Sequence, residues 1–268
     1  MERTDIDRRR VAWALAAALP WACGMGKARA QDQLSVKLGS VGVFSLLGDT
    51  VQATWSDDKP RDTRIEKTGH ESLDFKGIGF DLIALRVARA ALFKLEPKPD
   101  VDLFQSPQAL TPSEQREVAE RARGAVLPDW MVKAINDNRL AHVLLITRGR
   151  GPILARTGSN QSVGRGMVDG IGLYMDTLYT GVDPRTGARS TGLIAPYVEI
   201  RLQLLDVASG NITNEYAVRD AFLWGDGKDQ TKADPWNFMP DTVKVRVLRD
   251  LVQKGMTRGM QALLSKGS

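Results

Sequence analysis

The stretch Tyr197-Val-Glu-Ile-Arg-Leu-Gln-Leu-Leu-Asp-Val-Ala-Ser-Gly-Asn-Ile212 decides the fold class. Tyr197, Glu199, Arg201 and Gln203 alternate with Val198, Ile200, Leu202 and Leu204, the period of two that sends successive side chains to opposite faces of a strand. Asp206-Val-Ala-Ser-Gly210-Asn211 then supplies turn chemistry. Asp and Ser side chains bond to nearby backbone, and glycine accepts a left-handed conformation at no steric cost. A further strand-like run follows from Ile212 to Val218, so the stretch predicts a β-hairpin.

Toward the C-terminus, Trp224 to Pro240 is polar, dotted with aromatics, and predicts a loop. Asp241 to Leu264 predicts a long amphipathic helix, with Leu248, Leu251, Val252, Met256, Met260 and Leu263 at helical spacing. Gly255 and Gly259 within it each cost about 1 kcal/mol relative to alanine, which predicts close packing on a sheet. Toward the N-terminus, His142-Val-Leu-Leu-Ile-Thr147 is short and aliphatic and predicts a buried central strand. Met167 to Met175 predicts another, with Gly170 and Gly172 marking a bulge or a close backbone approach. Thr111-Pro-Ser-Glu114 is a capping box opening a helix to about Arg123, and Pro128 to Asn136 restarts one.

Phe80 to Leu95 predicts a helix with Asp81 at its positive end, stopped by Pro97 and Pro99, and Val101 to Phe104 a short strand. Ser40 to Leu47 and Thr50 to Trp55, joined by Gly48-Asp49, predict an antiparallel hairpin; Ser56 to Lys76 is charged and poorly patterned. Strand pairs mixed with helices predict one α/β (α+β) domain over residues 31–268, a two-layer sandwich with a mixed or mostly antiparallel sheet.

Residues 1–30 predict a signal peptide. Arg8-Arg9-Arg10 forms a charged head, Val11 to Leu19 an apolar middle shorter than a membrane span needs, and Ala28-Arg29-Ala30 a small-residue cut site after Ala30. The adjacent arginines match a twin-arginine signal, while Ala12 and Asp7 fit it less well, so the general secretory route stays open. Cys23 falls inside the leader, so the mature chain would contain neither disulfides nor a cysteine nucleophile. The leader carries six basic and three acidic residues and so three of the five net positive charges. The remainder is spread along the chain, which weighs against a nucleic-acid partner. The densest basic stretch, Arg148, Arg150, Arg156 and Arg165, is diluted with glycines and reads as a solvated loop face.

The chemistry-bearing motifs are incomplete. His70 and His142 have no ligand spacing, Gly164-Arg-Gly166 and Gly170-Ile-Gly172 lack the lysine and third glycine of phosphate loops, and no Gly-x-Ser-x-Gly elbow occurs. Asp169, Asp176 and Asp206 near strands read as turn caps. The sequence therefore nominates no catalytic, cofactor-binding or metal-binding residue and weighs against an enzyme. The hairpin around Asp206-Val-Ala-Ser-Gly210 resembles one in periplasmic α/β modules of the curli-secretion and TolB amino-terminal types. The strand at Val41 to Phe44 and the closing helix are compatible with that resemblance, and the whole chain resembles an uncharacterised exported proteobacterial family. The likeness implies a non-enzymatic periplasmic module that binds an envelope protein or self-associates, without spanning the membrane. Arg148 to Arg165 and Trp224 to Phe238 are then the candidate contact surfaces, and a hydrolase or small-ligand binder with a scattered site is the alternative.

Overall fold

The computed structural model of the chain describes residues 38–56, 68–75, 77–107, 110–124, 126–156, 162–164, 166–182, 189–224 and 239–265. The leader expected over residues 1–30 and most of the Trp224 to Phe238 loop lie outside them. The strands are β1 Ser40–Ser45, β2 Thr50–Ser56, β3 Thr68–Asp74, β4 Asp100–Gln105, β5 His142–Arg148, β6 Arg150–Pro152, β7 Ala155–Arg156, β8 Ser162–Val163, β9 Met167–Asp169, β10 Ile171–Val182, β11 Arg189–Asp206 and β12 Ile212–Ala221. The helices are α1 Phe80–Leu92, α2 Pro112–Arg121, α3 Asp129–Asp137 and α4 Asp241–Ser265. Eight strands form one mixed sheet in the order β3-β2-β10-β11-β5-β1-β4, with β12 on the other edge of β11.

The deciding hairpin is present. β11 and β12 pair antiparallel from Tyr197↔Ala221 to Leu205↔Ile212. The turn closes as its residues dictate: Ser209 N donates to Asp206 Oδ1 at 2.7 Å, and Gly210 adopts φ 68°. Hydrogen bonds from the Ser209 side chain and backbone hold the Asp206 carboxyl below its usual range.

β11 organises the rest of the sheet. Ile171↔Val198 begins its ladder with β10, and Arg148↔Ile200 begins its ladder with β5, so these two strands run head to tail along one edge of β11. β1 pairs parallel with β5, and β2 parallel with β10. Ser40 to Trp55 is therefore one broken strand and not the antiparallel hairpin its Gly48-Asp49 turn chemistry predicts. The break is satisfied from elsewhere in the chain. Asp81 accepts from Ser45 Oγ at 2.6 Å, Leu47 N at 2.8 Å and Gly48 N at 3.0 Å. These bonds replace the hairpin ladder, and long-range pairing wins over the local signal.

Alternation along β1 and β5 divides the core. Val41, Val43, Leu144 and Ile146 join the cluster beneath α1 and α4; Phe44, Val143 and Leu145 join the cluster with Val118, Met131 and Ile135 of α2 and α3. Helices thus lie on both faces, and the two-layer arrangement expected from the sequence accounts for one of them. Phe44 stacks on Phe104 at 4.5 Å between ring centroids. The capping box at α2 forms as read, with Glu114 N donating to Thr111 Oγ1 and Thr111 N to Glu114 Oε2. The helix at Phe80 ends three residues before the expected Leu95. On α4, a Cβ at Gly255 would stand 2.8 Å from Val218 Cγ1, and one at Gly259 2.9 Å from Leu202 Cδ1. Both glycines let the helix settle on β11 and β12, as their cost in a helix implies.

Candidate functional site

The file of polar residues on β11 faces a cover, not solvent. Val198, Ile200, Leu202 and Leu204 lie under α4. On the other face Tyr197, Glu199 and Gln203 are all buried, and Arg201 is half-buried. α2 docks on this file and on the end of β5 through polar contacts: Gln203 Nε2 donates to Ala119 O at 3.2 Å, Arg201 Nη1 to Glu120 Oε1 at 2.5 Å, and Arg148 N to Gln115 Oε1 at 3.2 Å. Glu120, Arg123, Arg201 and Glu215 form a linked ion-pair group.

Between the end of β5 and the start of β10 the chain leaves the large sheet after Gly149 and rejoins it at Gly170. Three backbone bonds close the ladder across the gap: Gly149 N to Glu199 O at 2.8 Å, Gly170 N to Gly149 O at 2.9 Å, and Glu199 N to Gly170 O at 2.5 Å. The excursion includes the antiparallel pairs β6–β9 and β7–β8. It encloses a pocket of about 170 Å³ with Ile153, Val168, Tyr197, Glu199, Arg219 and Arg258 among its walls.

Glu199 is the chemically unusual group there. Its side chain is 6% exposed, and Arg219 Nε lies 3.2 Å from Oε2. Gly151 packs against the carboxylate so closely that a Cβ would stand 2.7 Å from it. Burial pushes the Glu199 carboxyl up to about 7, against the pull of Arg219. A carboxyl raised in the folded state contributes stability that is fully present below its unfolded value near 4.5 and lost as pH rises through 7. The shift corresponds to about 3 kcal/mol. Glu199→Gln removes it, so the stability of the variant relative to the parent is expected to rise by about that amount between pH 4 and pH 8. Urea unfolding at closely spaced pH values checks this; a constant difference across the window would show that the carboxyl titrates normally.

A second polar line runs from the pocket to the sheet edge. Tyr197 Oη lies 3.2 Å from Thr54 Oγ1, which lies 3.2 Å from His70 Nδ1. Tyr197 Oη also donates to Asp169 O at 3.4 Å. Burial holds the Tyr197 phenol well above its usual range. Asp169 itself pairs with Arg116 at 2.9 Å.

The structure divides the sequence-nominated basic stretch. Arg150 is exposed, as expected of a loop face, but Arg148 is 1% exposed, which corrects that reading. Its backbone is the last residue of β5, and its side chain turns inward to the break between β1 and β2. There Nε donates to Leu47 O at 2.7 Å and Nη2 to Thr50 O at 2.5 Å. The side chains of Arg156 and Arg165 lie outside the described residues. His142 sits 3.7 Å from Asp206 Oδ2 and His70 beside Thr54, so the fold places them in separate settings. Among the described residues no group of three or more His, Cys, Asp or Glu could hold a metal ion. No helix of the described residues is long and apolar enough to cross a membrane. Sequence reasoning missed Glu199 because a strand's polar file ordinarily faces water; the one available signal was Gly149 and Gly151, which leave room for the excursion to lie over it.

No family model matches the chain, and no curated protein does. Among solved structures, a neuraminyllactose-binding hemagglutinin homolog from Helicobacter pylori is similar at TM-score 0.40 and 10% identity, covering 88% of each chain. A DUF330 protein from Xanthomonas campestris is similar at TM-score 0.36 and 10% identity, covering 87% of this chain and 88% of its own. A PelC dodecamer from Paraburkholderia phytofirmans is similar at 0.32 and 12%, covering 85% and 90%. All three scores fall below 0.5.

Proposed function

We propose that the chain is an exported, non-enzymatic interaction module of the bacterial envelope. Residues 1–30 act as the signal, cleaved after Ala30, and the remainder works in the periplasm by holding an envelope protein or a second copy of itself. The observation that carries this reading is the state of the polar pocket over Glu199. That pocket is about 170 Å³, whereas ligand sites for small organic molecules run from about 300 Å³ upward. Its charges are also matched internally, Glu199 by Arg219 and Asp220 by Arg258. A matched, small pocket supports a structural role for these groups. The alternative, a small-ligand binder or hydrolase with a site scattered along the chain, would draw on Glu199, whose carboxyl, raised to about 7, suits proton transfer at neutral pH.

The test is crosslinking in intact cells that express the tagged full chain, followed by fractionation. The expected result is periplasmic material beginning at Gln31 and crosslinked to one envelope protein or to itself. Material that retains Met1, stays in the cytosol and remains monomeric in every extract would sink the proposal.

A further inference from the structure

We infer that the groove between α1 and α4 docks an acidic, amphipathic segment of a partner protein. The inference rests on the interaction-module reading above and names its surface. The two helices pack side by side over the sheet and leave an open depression of about 510 Å³ between their outer faces. Ile83, Val87 and Val245 supply its apolar lining, while Arg86, Arg246 and Arg249 supply its charge. Asp250 is the one acidic residue in that lining.

These arginines have no carboxylate partner within the described residues. Elsewhere on the described surface Arg116, Arg121, Arg123, Arg201, Arg219 and Arg258 are each matched to a carboxylate, Arg89 lies over the Phe93 ring, and Arg139 stands apart from any carboxylate. Among the described residues Arg86, Arg246 and Arg249 have no hydrogen bond or ion pair. Three unmatched guanidinium groups beside apolar side chains favour an occupant that brings both carboxylates and an apolar face. Guanidinium groups bind carboxylates in two-point geometry, and the surrounding apolar surface reduces solvent screening of each pair. From Thr242 to Gln253 the α4 side of the groove spans about 17 Å, three turns of helix. A helical segment of about eleven residues with glutamates on one stripe and leucines on another matches that length and pattern. The charges line a concavity, which an elongated segment fills better than a flat bilayer surface does.

Binding is measured by fluorescence anisotropy of a labelled peptide of this design, titrated with the full chain. The comparators are the same peptide with lysine for glutamate and vesicles of phosphatidylethanolamine with phosphatidylglycerol. The acidic peptide is expected to bind, more weakly as salt rises, and the lysine peptide not to bind. The charge reversal Arg86→Glu, Arg246→Glu, Arg249→Glu is expected to weaken binding about tenfold or more. Lys133→Glu, on an exposed position of α3 across the sheet, is expected to leave it unchanged. The neutral set Arg86→Gln, Arg246→Gln, Arg249→Gln is expected to weaken binding in the same direction and decides the matter should the reversed variant fail to fold. Equal binding by parent and variants, equal loss in Lys133→Glu, no binding of the acidic peptide, or vesicle capture in its place would each overturn the inference. Crosslinking separates the two levels: a partner retained by the neutral variant removes only the groove, and no partner for the parent removes the interaction-module reading itself.

Discussion

Gly172→Ala is expected to lower stability by more than about 4 kcal/mol or to prevent folding. Gly172 stands between two partner strands, opposite Gln52 of β2 on one side and Tyr197 of β11 on the other. A Cβ there would overlap the carbonyl oxygen of Gln52 and stand 2.5 Å from Tyr197 Oη and 2.7 Å from its Cζ. Neither neighbour can yield cheaply. The Gln52 oxygen is backbone within the parallel β2–β10 ladder, and Tyr197 is 1% exposed, with its hydroxyl bonded to Thr54 and Asp169. Tyr197→Phe in the Gly172→Ala background relieves the hydroxyl contact alone, so it should recover only part of the loss. Gly39→Ala provides the contrast: its nearest neighbour would be Ala141 Cβ at an ordinary 3.7 Å, and a change within about 1 kcal/mol is expected. Circular dichroism melts rank the three. A Gly172→Ala protein melting within a few degrees of the parent would show that β2 and β10 are less closely held than this geometry requires.

The same residue shows how far sequence alone reaches. Its position within an apolar, glycine-bearing run predicts a close backbone approach, and the structure supplies the partners. The β11–β12 hairpin, the capping box at Thr111, the central strand at His142 and the glycine-bearing closing helix were equally legible, because each is governed by neighbours a few residues away. What was illegible depends on residues far apart. Gly48-Asp49 carries turn chemistry, yet nothing local reveals that Asp81 will take up the Leu47 and Gly48 amides and let the strand run on. Glu199 and Arg201 read as a solvent stripe because the cover over them comes from β6, β9 and α2, whose placement follows from pairing across the whole sheet. Arg148 reads as a loop cation for the same reason: its burial follows from the inter-strand break it fills.

That break carries the second large effect. Arg148→Ala is expected to cost about 3–5 kcal/mol, and Arg148→Met about 1–3 kcal/mol. Alanine removes the guanidinium and also the aliphatic stem, which lies beneath Gly170 so closely that a Cβ on that glycine would stand 2.7 Å from Arg148 Cδ. Methionine retains most of that packing and removes only the charge and its bonds to Leu47 O and Thr50 O. The magnitude of the methionine change depends on two opposing terms. Losing the bonds leaves two carbonyls at the break with fewer donors, at about 1–3 kcal/mol. Against this, the buried cation is incompletely matched: Nη1 has no hydrogen-bond partner among the described residues, and burial pushes the guanidinium down to about 10 despite the opposing influence of Tyr197, Asp81 and Asp49. Removing such a charge recovers part of its desolvation cost. Because Arg148 bridges the two halves of a broken strand, the bonds should outweigh the recovery, giving the order parent, methionine, alanine in urea unfolding at pH 7. Methionine at or above the parent would reverse that ordering and show that the guanidinium does no more than offset its own burial, leaving Asp81 to hold the break.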